Sequence, residues 1–208
     1  QSVTVDPSGR FAYVANLASN SISAYTINTS TGVLTSVGAG VAAGTNPVSV
    51  AVDPSGRFVY AANSGSFNVS AYTINTSTGA LTSIGGVTAG FGPRSVTVDP
   101  SGKFAYVASN LSNIVSVYAI NASTGALTSA GTVSGRSGLM SIAMTKGTAA
   151  VTYTPKFAYA ANSVSNNISA YNIDAGTGAL TSLGAPVAAV SGPASIAVDP
   201  LGKFAFVA

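Results

Sequence analysis

A chain of 208 residues with 6% charged and 47% hydrophobic residues departs from ordinary globular proteins, in which about a quarter of residues are charged. Its formal charge of +3 comes from eight scattered Lys and Arg residues, so the basic patch that nucleic-acid binding requires is missing. The sequence has no Cys, which excludes disulfides, and it has no apolar run of about 18 residues that would span a membrane.

A recurring segment organises the whole chain. The sequence VDPSGRFAYVAN, which starts at Val5, returns from Val52 and Val98 and, in altered form, from Thr154 and Val198. Its copies place the same aromatic residue 47, 46, 53 and 47 residues apart, at Phe11, Phe58, Phe104, Phe157 and Phe204. A fixed period of this length indicates a repeat protein. We therefore divide one partial domain, 1-208, into repeats 1-47, 48-93, 94-139, 140-193 and an incomplete 194-208.

Each repeat contains four short predicted strands. In the first repeat they are SVTV at 2–5, FAYVAN at 11–16, ISAYTIN at 22–28 and VLTSVG at 33–38, separated by turn-forming residues. Apolar residues alternate with small or polar ones in these strands, as is typical of a packed sheet. The pattern predicts an all-β fold, a β-propeller of four-stranded antiparallel blades with about 46-47 residues per repeat. The chain supplies four complete blades plus a half blade.

The Asp-Pro-Ser-Gly turn follows the first strand of the regular repeats. Its Asp is expected to accept hydrogen bonds from backbone amides ahead of it, its Pro restricts φ, and its Gly is expected to adopt positive φ. We interpret these residues as structural turn residues, because one copy in each blade is better explained by folding than by catalysis. They are Asp6, Gly9, Asp53, Gly56, Asp99, Gly102, Asp199 and Gly202.

The fourth repeat departs from this turn. A segment of ten residues, 146–155, replaces the Asp-Pro-Ser-Gly sequence, and the local spacing is about seven residues longer than in the preceding repeat. Long loops can carry function, but loops also tolerate insertions without any function. We favour a tolerated insertion, because the segment contains one basic residue and no acidic one.

The repeat consensus is similar to a known family. The segment YVAN at 13–16 resembles the YVTN repeat, and the pairing of SAYTIN at 23–28 with TGVLTS at 31–36 resembles lactonase-family, 6-phosphogluconolactonase-like propellers. The resemblance implies a seven-bladed ring, of which four and a half blades would be one part. It also implies lactone hydrolysis by acidic, His and Arg side chains gathered around a central channel.

The composition gives this implied activity little support. Lactone hydrolysis at neutral pH needs a general base or a metal-bound water, yet the sequence has no His and no Glu. Four of its five Asp residues occupy the repeated turn, and Asp174 replaces a loop Asn of the other repeats. We therefore predict no catalytic residue, no metal site and no cofactor in this portion.

Ligand binding fits the residues better than catalysis does. Because strand direction alternates, the second-to-third turns and the connectors between blades should lie on one face. That face is predicted to collect amide and guanidinium groups, which could bind a carbohydrate or a small anion. The alternative is that Asn is there for its turn chemistry. The candidates are Arg94, Arg136, Asn16, Asn63, Asn110 and Asn162.

These observations lead to two hypotheses of function. The first is a non-enzymatic extracellular or cell-surface propeller that acts as a scaffold or binding module. Few charges and open blade faces predict self-association or assembly into a surface layer, although hydroxyls and amides could instead keep a monomer soluble. The second hypothesis is a lactone hydrolase whose catalytic residues lie outside this portion.

Overall fold

The structure is a computed structural model, and it describes residues 1–145, 156–198 and 204–208. All regular secondary structure in these ranges is β. The first two blades contain β1 (Ser2–Val5), β2 (Phe11–Asn16), β3 (Ser21–Ile27), β4 (Leu34–Ser36), β5 (Val41–Ala42), β6 (Pro47–Val52), β7 (Phe58–Asn63), β8 (Asn68–Ile74) and β9 (Leu81–Thr88). The remaining strands are β10 (Pro93–Val98), β11 (Phe104–Ser109), β12 (Ile114–Ile120), β13 (Leu127–Ser134), β14 (Leu139–Met144), β15 (Phe157–Asn162), β16 (Asn167–Ile173), β17 (Leu180–Ser182), β18 (Val187–Ala188), β19 (Ile196–Val198) and β20 (Ala205–Val207).

The sheets have the blade topology that the repeats predict. Sequential strands pair antiparallel in the orders β1-β2-β3-β4, β6-β7-β8-β9, β10-β11-β12-β13 and β14-β15-β16-β17, and β19 pairs with β20 in a half blade. First strands of successive blades contact one another, as β6 does with β1 and β10, so they lie innermost. The prediction of an all-β partial propeller is confirmed.

The outermost strands extend further than the sequence predicts. In the second and third blades, β9 and β13 run on into residues expected to be connector, and each has a register shift at its centre. In the first and fourth blades this strand is divided, so that β4 and β5 both pair with β3, and β17 and β18 both pair with β16. The Gly-rich centre of the strand permits either form, because glycine accommodates irregular backbone angles.

Apolar side chains pack between blades rather than within one. Tyr13 on β2 is fully buried, in a cluster with Phe11 of its own blade and with Tyr72 and Leu81 of the next blade. The hydroxyl of Tyr13 donates to the carbonyl of Gly79 at 3.1 Å. The equivalent bonds from Tyr60 to Gly125 and from Tyr106 to Gly178 measure 2.9 and 3.0 Å. Each of the first three blades is therefore joined to the next one by a buried tyrosine whose hydroxyl is hydrogen-bonded.

The Asp-Pro-Ser-Gly turns are built around their carboxylates. Asp53 is buried and accepts hydrogen bonds from the backbone amides of Ser55, Arg57 and Phe58 at 3.1, 2.8 and 2.8 Å. Gly56 has a φ of 69° in this turn. Asp6 and Asp99 bind the amides of their own turns in the same way, with Gly9 and Gly102 both at a φ of 71°. Asp199 and Gly202 lie outside the described residues.

The charge of one turn carboxylate is stabilised by this geometry. Burial raises the pKa of Asp6, but hydrogen bonds from the Ser8 hydroxyl and from the amides of Phe11, Ser8 and Arg10 outweigh it, so the pKa lies below its usual value. The carboxylate therefore remains ionised at neutral pH and acts as a hydrogen-bond acceptor. This environment does not favour a general base, which needs a pKa nearer to neutrality.

Candidate functional site

The two faces of the described propeller differ in their loops. On the turn face, Arg10 of one Asp-Pro-Ser-Gly turn donates to the carbonyl of Thr76 in the third-to-fourth loop of the next blade at 2.6 Å. On the opposite face, which we call the connector face, second-to-third turns fold onto the connectors between blades. The amides of Ser64, Asn110 and Ser163 donate to connector carbonyls at 2.9, 2.9 and 2.8 Å. All six predicted ligand-binding residues belong to elements that end or turn at the connector face.

Three of the predicted asparagines are engaged inside their own blades. Asn63 ends β7, and its Nδ2 donates to Asn68 Oδ1 and Ser70 Oγ of β8 at 2.8 and 2.9 Å. Asn162 donates likewise to Asn167 and Ser169, and Asn16 to Ser21 and Ser23. Asn63 and Asn162 have no exposed surface, and Asn16 is half-buried. The side-chain amides of these residues therefore form hydrogen bonds between the second and third strands of their blades.

Asn110 occupies a different position from the other three. Ser109, which ends β11, is the structural equivalent of Asn63, and Asn110 follows it in the turn. Asn110 is half-buried, and its Nδ2 lies 3.4 Å from the sulfur of Met140, near the start of the innermost strand β14. Asn110 therefore contacts the first strand of the next blade, whereas Asn63 bonds within its own blade.

Arg94 lies at the connector-face end of an innermost strand. It stands where the register of β10 shifts against β11, and its side chain is exposed. The corresponding residue of the preceding blade, Val48, is buried, and that of the following blade is Met140. Among the second, third and fourth blades, Arg94 is therefore the one charged residue at this position.

Arg136 lines a polar cavity of about 240 Å³ between the third and fourth blades. Tyr171, Ser134, Ser169 and Ser182, which all carry hydroxyl groups, line the same cavity. Burial raises the pKa of Tyr171, while hydrogen bonding to Ser169 and the positive charge of Arg136 oppose this rise. A cationic group beside several hydroxyl donors can accept a small oxyanion.

The two arginines do not form one site. Arg94 is on an innermost strand, whereas the Arg136 cavity includes Ser182 of the outermost strand β17. Tyr171 and the serines of this cavity were not among the residues predicted from the sequence. Comparison of the repeats could have marked this site, because Arg136 occupies a connector position that is glycine, Gly44 and Gly90, in the two preceding junctions.

The carboxylates of the described residues are kept apart from these cations. Asp6, Asp53 and Asp99 lie in the turns of the turn face, and Asp174 lies in a third-to-fourth loop on the same face. Asp174 accepts hydrogen bonds from Thr177 and Gly176, and the bonds from the Thr177 amide and hydroxyl and the Gly176 amide lower its pKa. Among the residues that the structure describes, no three His, Cys, Asp or Glu side chains are grouped to hold a metal ion.

No helix with the length and hydrophobicity of a membrane span occurs in the part of the chain that the structure describes.

Several solved structures share this fold. A candidate 6-phosphogluconolactonase of Bacteroides uniformis superimposes with a TM-score of 0.81 and 20% identity, over 94% of this chain and 56% of its own. The periplasmic gluconolactonase of Pseudomonas aeruginosa superimposes with a TM-score of 0.75 and 18% identity, over 93% of this chain and 55% of its own. Hydrazine synthase of Kuenenia stuttgartiensis superimposes with a TM-score of 0.75 and 23% identity, over 99% of this chain and 54% of its own. At these identities the likeness shows the fold, which hosts different chemistries.

The family assignment rests on sequence. No curated protein matches the chain significantly. The chain spans about half the length of the solved structures that it resembles. The model of the family described as "Lactonase, 7-bladed beta-propeller" matches residues 2–87 and 84–208, which together cover nearly the whole chain. With the blade topology described above, this match shows that the chain belongs to the lactonase family of seven-bladed β-propellers.

Proposed function

We propose that this chain is part of a lactone hydrolase that acts on sugar lactones. The observation that carries the proposal is the lactonase family match, which extends from residue 2 to residue 208. Two of the similar structures bear the names 6-phosphogluconolactonase and gluconolactonase, which support sugar lactones as the substrate class. The alternative hypothesis of the sequence analysis thus becomes the leading one.

The described residues suit substrate binding better than proton transfer. Hydrolysis needs a base to activate water, and the Asp carboxylates of the repeated turns are occupied by backbone amides on the turn face. Arg94 is exposed at the end of an innermost strand. Its guanidinium would bind the phosphate or carboxylate of an anionic sugar lactone, because Arg forms paired hydrogen bonds with such groups.

We expect Arg94→Gln to raise KM for 6-phosphogluconolactone about tenfold or more, because it removes a charged hydrogen bond. The value of kcat and the activity on uncharged δ-gluconolactone should change little. Initial rates of acid release by the full-length gene product, corrected for spontaneous hydrolysis, would measure both. Lys103→Gln is the matched control, because Lys103 is an exposed cation on the turn face. An equal loss of activity on both lactones would contradict the assigned role of Arg94.

A non-enzymatic binding module is the second candidate. It is favoured by the Arg136 cavity, where Tyr171 and three serines surround a cationic residue without any carboxylate in the lining. Such a cavity would bind a small anion, and the candidate is compatible with an extracellular or cell-surface setting. Hydrolysis no faster than the spontaneous background for both lactones would reject the enzyme and leave this module as the better proposal.

We propose that the 208-residue polypeptide by itself self-associates. Val3, Val5 and Leu34 are 65%, 52% and 54% exposed on the open side of the first blade, and Phe206 is 64% exposed in the half blade. An apolar cavity of about 540 Å³ also lies between the fourth blade and the half blade. Exposed apolar surfaces of this kind favour contact with another copy.

We expect light scattering of this 208-residue polypeptide to give a mass that rises with concentration. Leu34→Ser should reduce the rise, because it makes one open face more polar. Val164→Ser is a suitable control, since Val164 is also exposed, at 70%, but lies in a turn of the connector face. A constant monomer mass up to the solubility limit would refute self-association.

A further inference from the structure

A chain of side-chain hydrogen bonds crosses the second blade and ends on the blade before it. Asn63 Nδ2 donates to Ser70 Oγ at 2.9 Å, so the Ser70 proton is available to the hydroxyl oxygen of Tyr72, with which Ser70 is hydrogen-bonded. The buried Tyr72 hydroxyl in turn donates to the carbonyl of Ala42 at 2.8 Å. The protons of this chain therefore all point in one direction, and a carbonyl oxygen accepts the last of them.

The fourth blade has the same chain without its last acceptor. In the third blade the Tyr118 hydroxyl again donates to a carbonyl, that of Thr88, at 2.7 Å. In the fourth, Asn162 Nδ2 donates to Ser169 Oγ at 3.0 Å, and Ser169 is hydrogen-bonded to the hydroxyl of Tyr171. Among the residues that the structure describes, however, no carbonyl accepts the Tyr171 hydroxyl. Tyr171 is only 2% exposed, so a buried hydrogen-bond donor borders the 240 Å³ cavity.

A cation accompanies this donor. Arg136 lines the same cavity and replaces the glycine, Gly44 or Gly90, of the two preceding junctions. Its positive charge acts on the Tyr171 hydroxyl, which places the guanidinium close to the end of the hydrogen-bond chain. The cavity lining contains no carboxylate that would neutralise Arg136. A cation and a directed hydroxyl proton together favour a ligand that is both negatively charged and a hydrogen-bond acceptor.

The cavity fits a small ligand. Gly184 and Pro186, which lie between β17 and β18, complete its lining. Its volume of about 240 Å³ is below the roughly 300 Å³ at which pockets for drug-sized ligands begin. The junction between the first and second blades has a corresponding cavity of about 420 Å³, which Gly44, Ser70 and Ser83 line without any cation. The chain therefore contains its own comparison for the effect of Arg136.

We propose that the Arg136 cavity binds the phosphate group of a small ligand. The guanidinium forms paired hydrogen bonds with two phosphate oxygens, and the Tyr171 hydroxyl donates to a third. A phosphate group offers three terminal oxygens to these donors, whereas a carboxylate offers two. The proposal gives a ligand class to the binding-module candidate, on which it rests, and it does not depend on lactone hydrolysis.

Inorganic phosphate is the probe for this site. An NMR titration of the 208-residue polypeptide at constant ionic strength should shift the backbone amide resonances of Gly135 and Ser169 saturably. Arg136→Gly, which restores the residue of the other junctions, and Tyr171→Phe should each weaken phosphate binding about tenfold or more. Phosphate should also raise the melting temperature of the wild type, and raise that of Arg136→Gly much less.

The controls separate this site from other cations. Arg94→Gln removes the other arginine of the connector face and should leave the phosphate shifts of the wild type unchanged. The amides of Ser70 and Gly85, beside the cation-free cavity, should not shift. Chloride at the same ionic strength should not reproduce the shifts at Gly135.

Phosphate shifts that are confined to the Arg136 cavity and weakened in both variants would support the proposal. Absence of saturable shifts, equal shifts in the cation-free cavity, or phosphate binding that survives Arg136→Gly would overturn it. Acetate that binds as tightly as phosphate would contradict the ligand class but retain a module for small anions. None of these outcomes bears on hydrolysis, which the lactone assay tests separately.

Discussion

Gly125→Ala is expected to lower the free energy of unfolding by about 3 kcal/mol. Gly125 has a φ of 75°, and a Cβ added there would lie 2.3 Å from Cδ1 of the buried Phe58. Its carbonyl also accepts the Tyr60 hydroxyl, so the loop cannot move away without breaking that bond. Backbone strain and overpacking therefore act together at this junction between blades.

Gly32→Ala is the matched control for this substitution. Gly32 is the equivalent loop residue of the first blade, and it has nearly the same φ, 74°, but an added Cβ would meet nothing within 4 Å. It should cost only the backbone strain, about 1 kcal/mol. Urea denaturation of both variants would compare the two losses. Equal losses would mean that packing against Phe58 contributes little to the stability of the junction.

Asp53→Ala is expected to lower the free energy of unfolding by about 3 kcal/mol, because it leaves buried amides without an acceptor. Its carboxylate accepts the amides of Ser55, Arg57 and Phe58 and also the Ser55 hydroxyl. Arg57 in turn donates to the carbonyl of Ala122 in the next blade, so disorder of the turn should weaken the contact between blades.

Asp174→Asn provides the comparison for the turn carboxylate. Asp174 is in an exposed loop and uses a single oxygen, Oδ1, to accept its hydrogen bonds. Asn28 and Asn75 accept equivalent bonds through Oδ1 in other blades, so the substitution should leave the melting temperature nearly unchanged. Thermal melts of both variants would measure the difference. A similar loss in both would indicate that burial of the Asp53 carboxylate is unimportant.

The candidate site was predicted less completely than the fold. Arg94 and Arg136 both belong to elements that reach the connector face, but the cavity that Arg136 lines includes Ser182 of the outermost strand β17 and does not include Arg94. Asn63 and Asn162 appear in sequence as polar residues next to turns, and only the pairing of β7 with β8 and of β15 with β16 shows where their amides point. A side chain one register position away would face the opposite side of the sheet.

The sequence by itself determined the order of the blades and the antiparallel pairing of their strands, because repeated alternation and local turn chemistry, as in Asp53 and Gly56, depend on near neighbours. Tertiary packing decided the rest. It brought Arg136 of the third repeat beside Tyr171 of the fourth, and it joined Phe67 to Phe91 within the second repeat. These contacts link residues that are distant in the sequence, and their geometry depends on how sheets, turns and connectors fit together. Comparison of the repeats marks such positions as departures, but only the tertiary structure shows which departures meet.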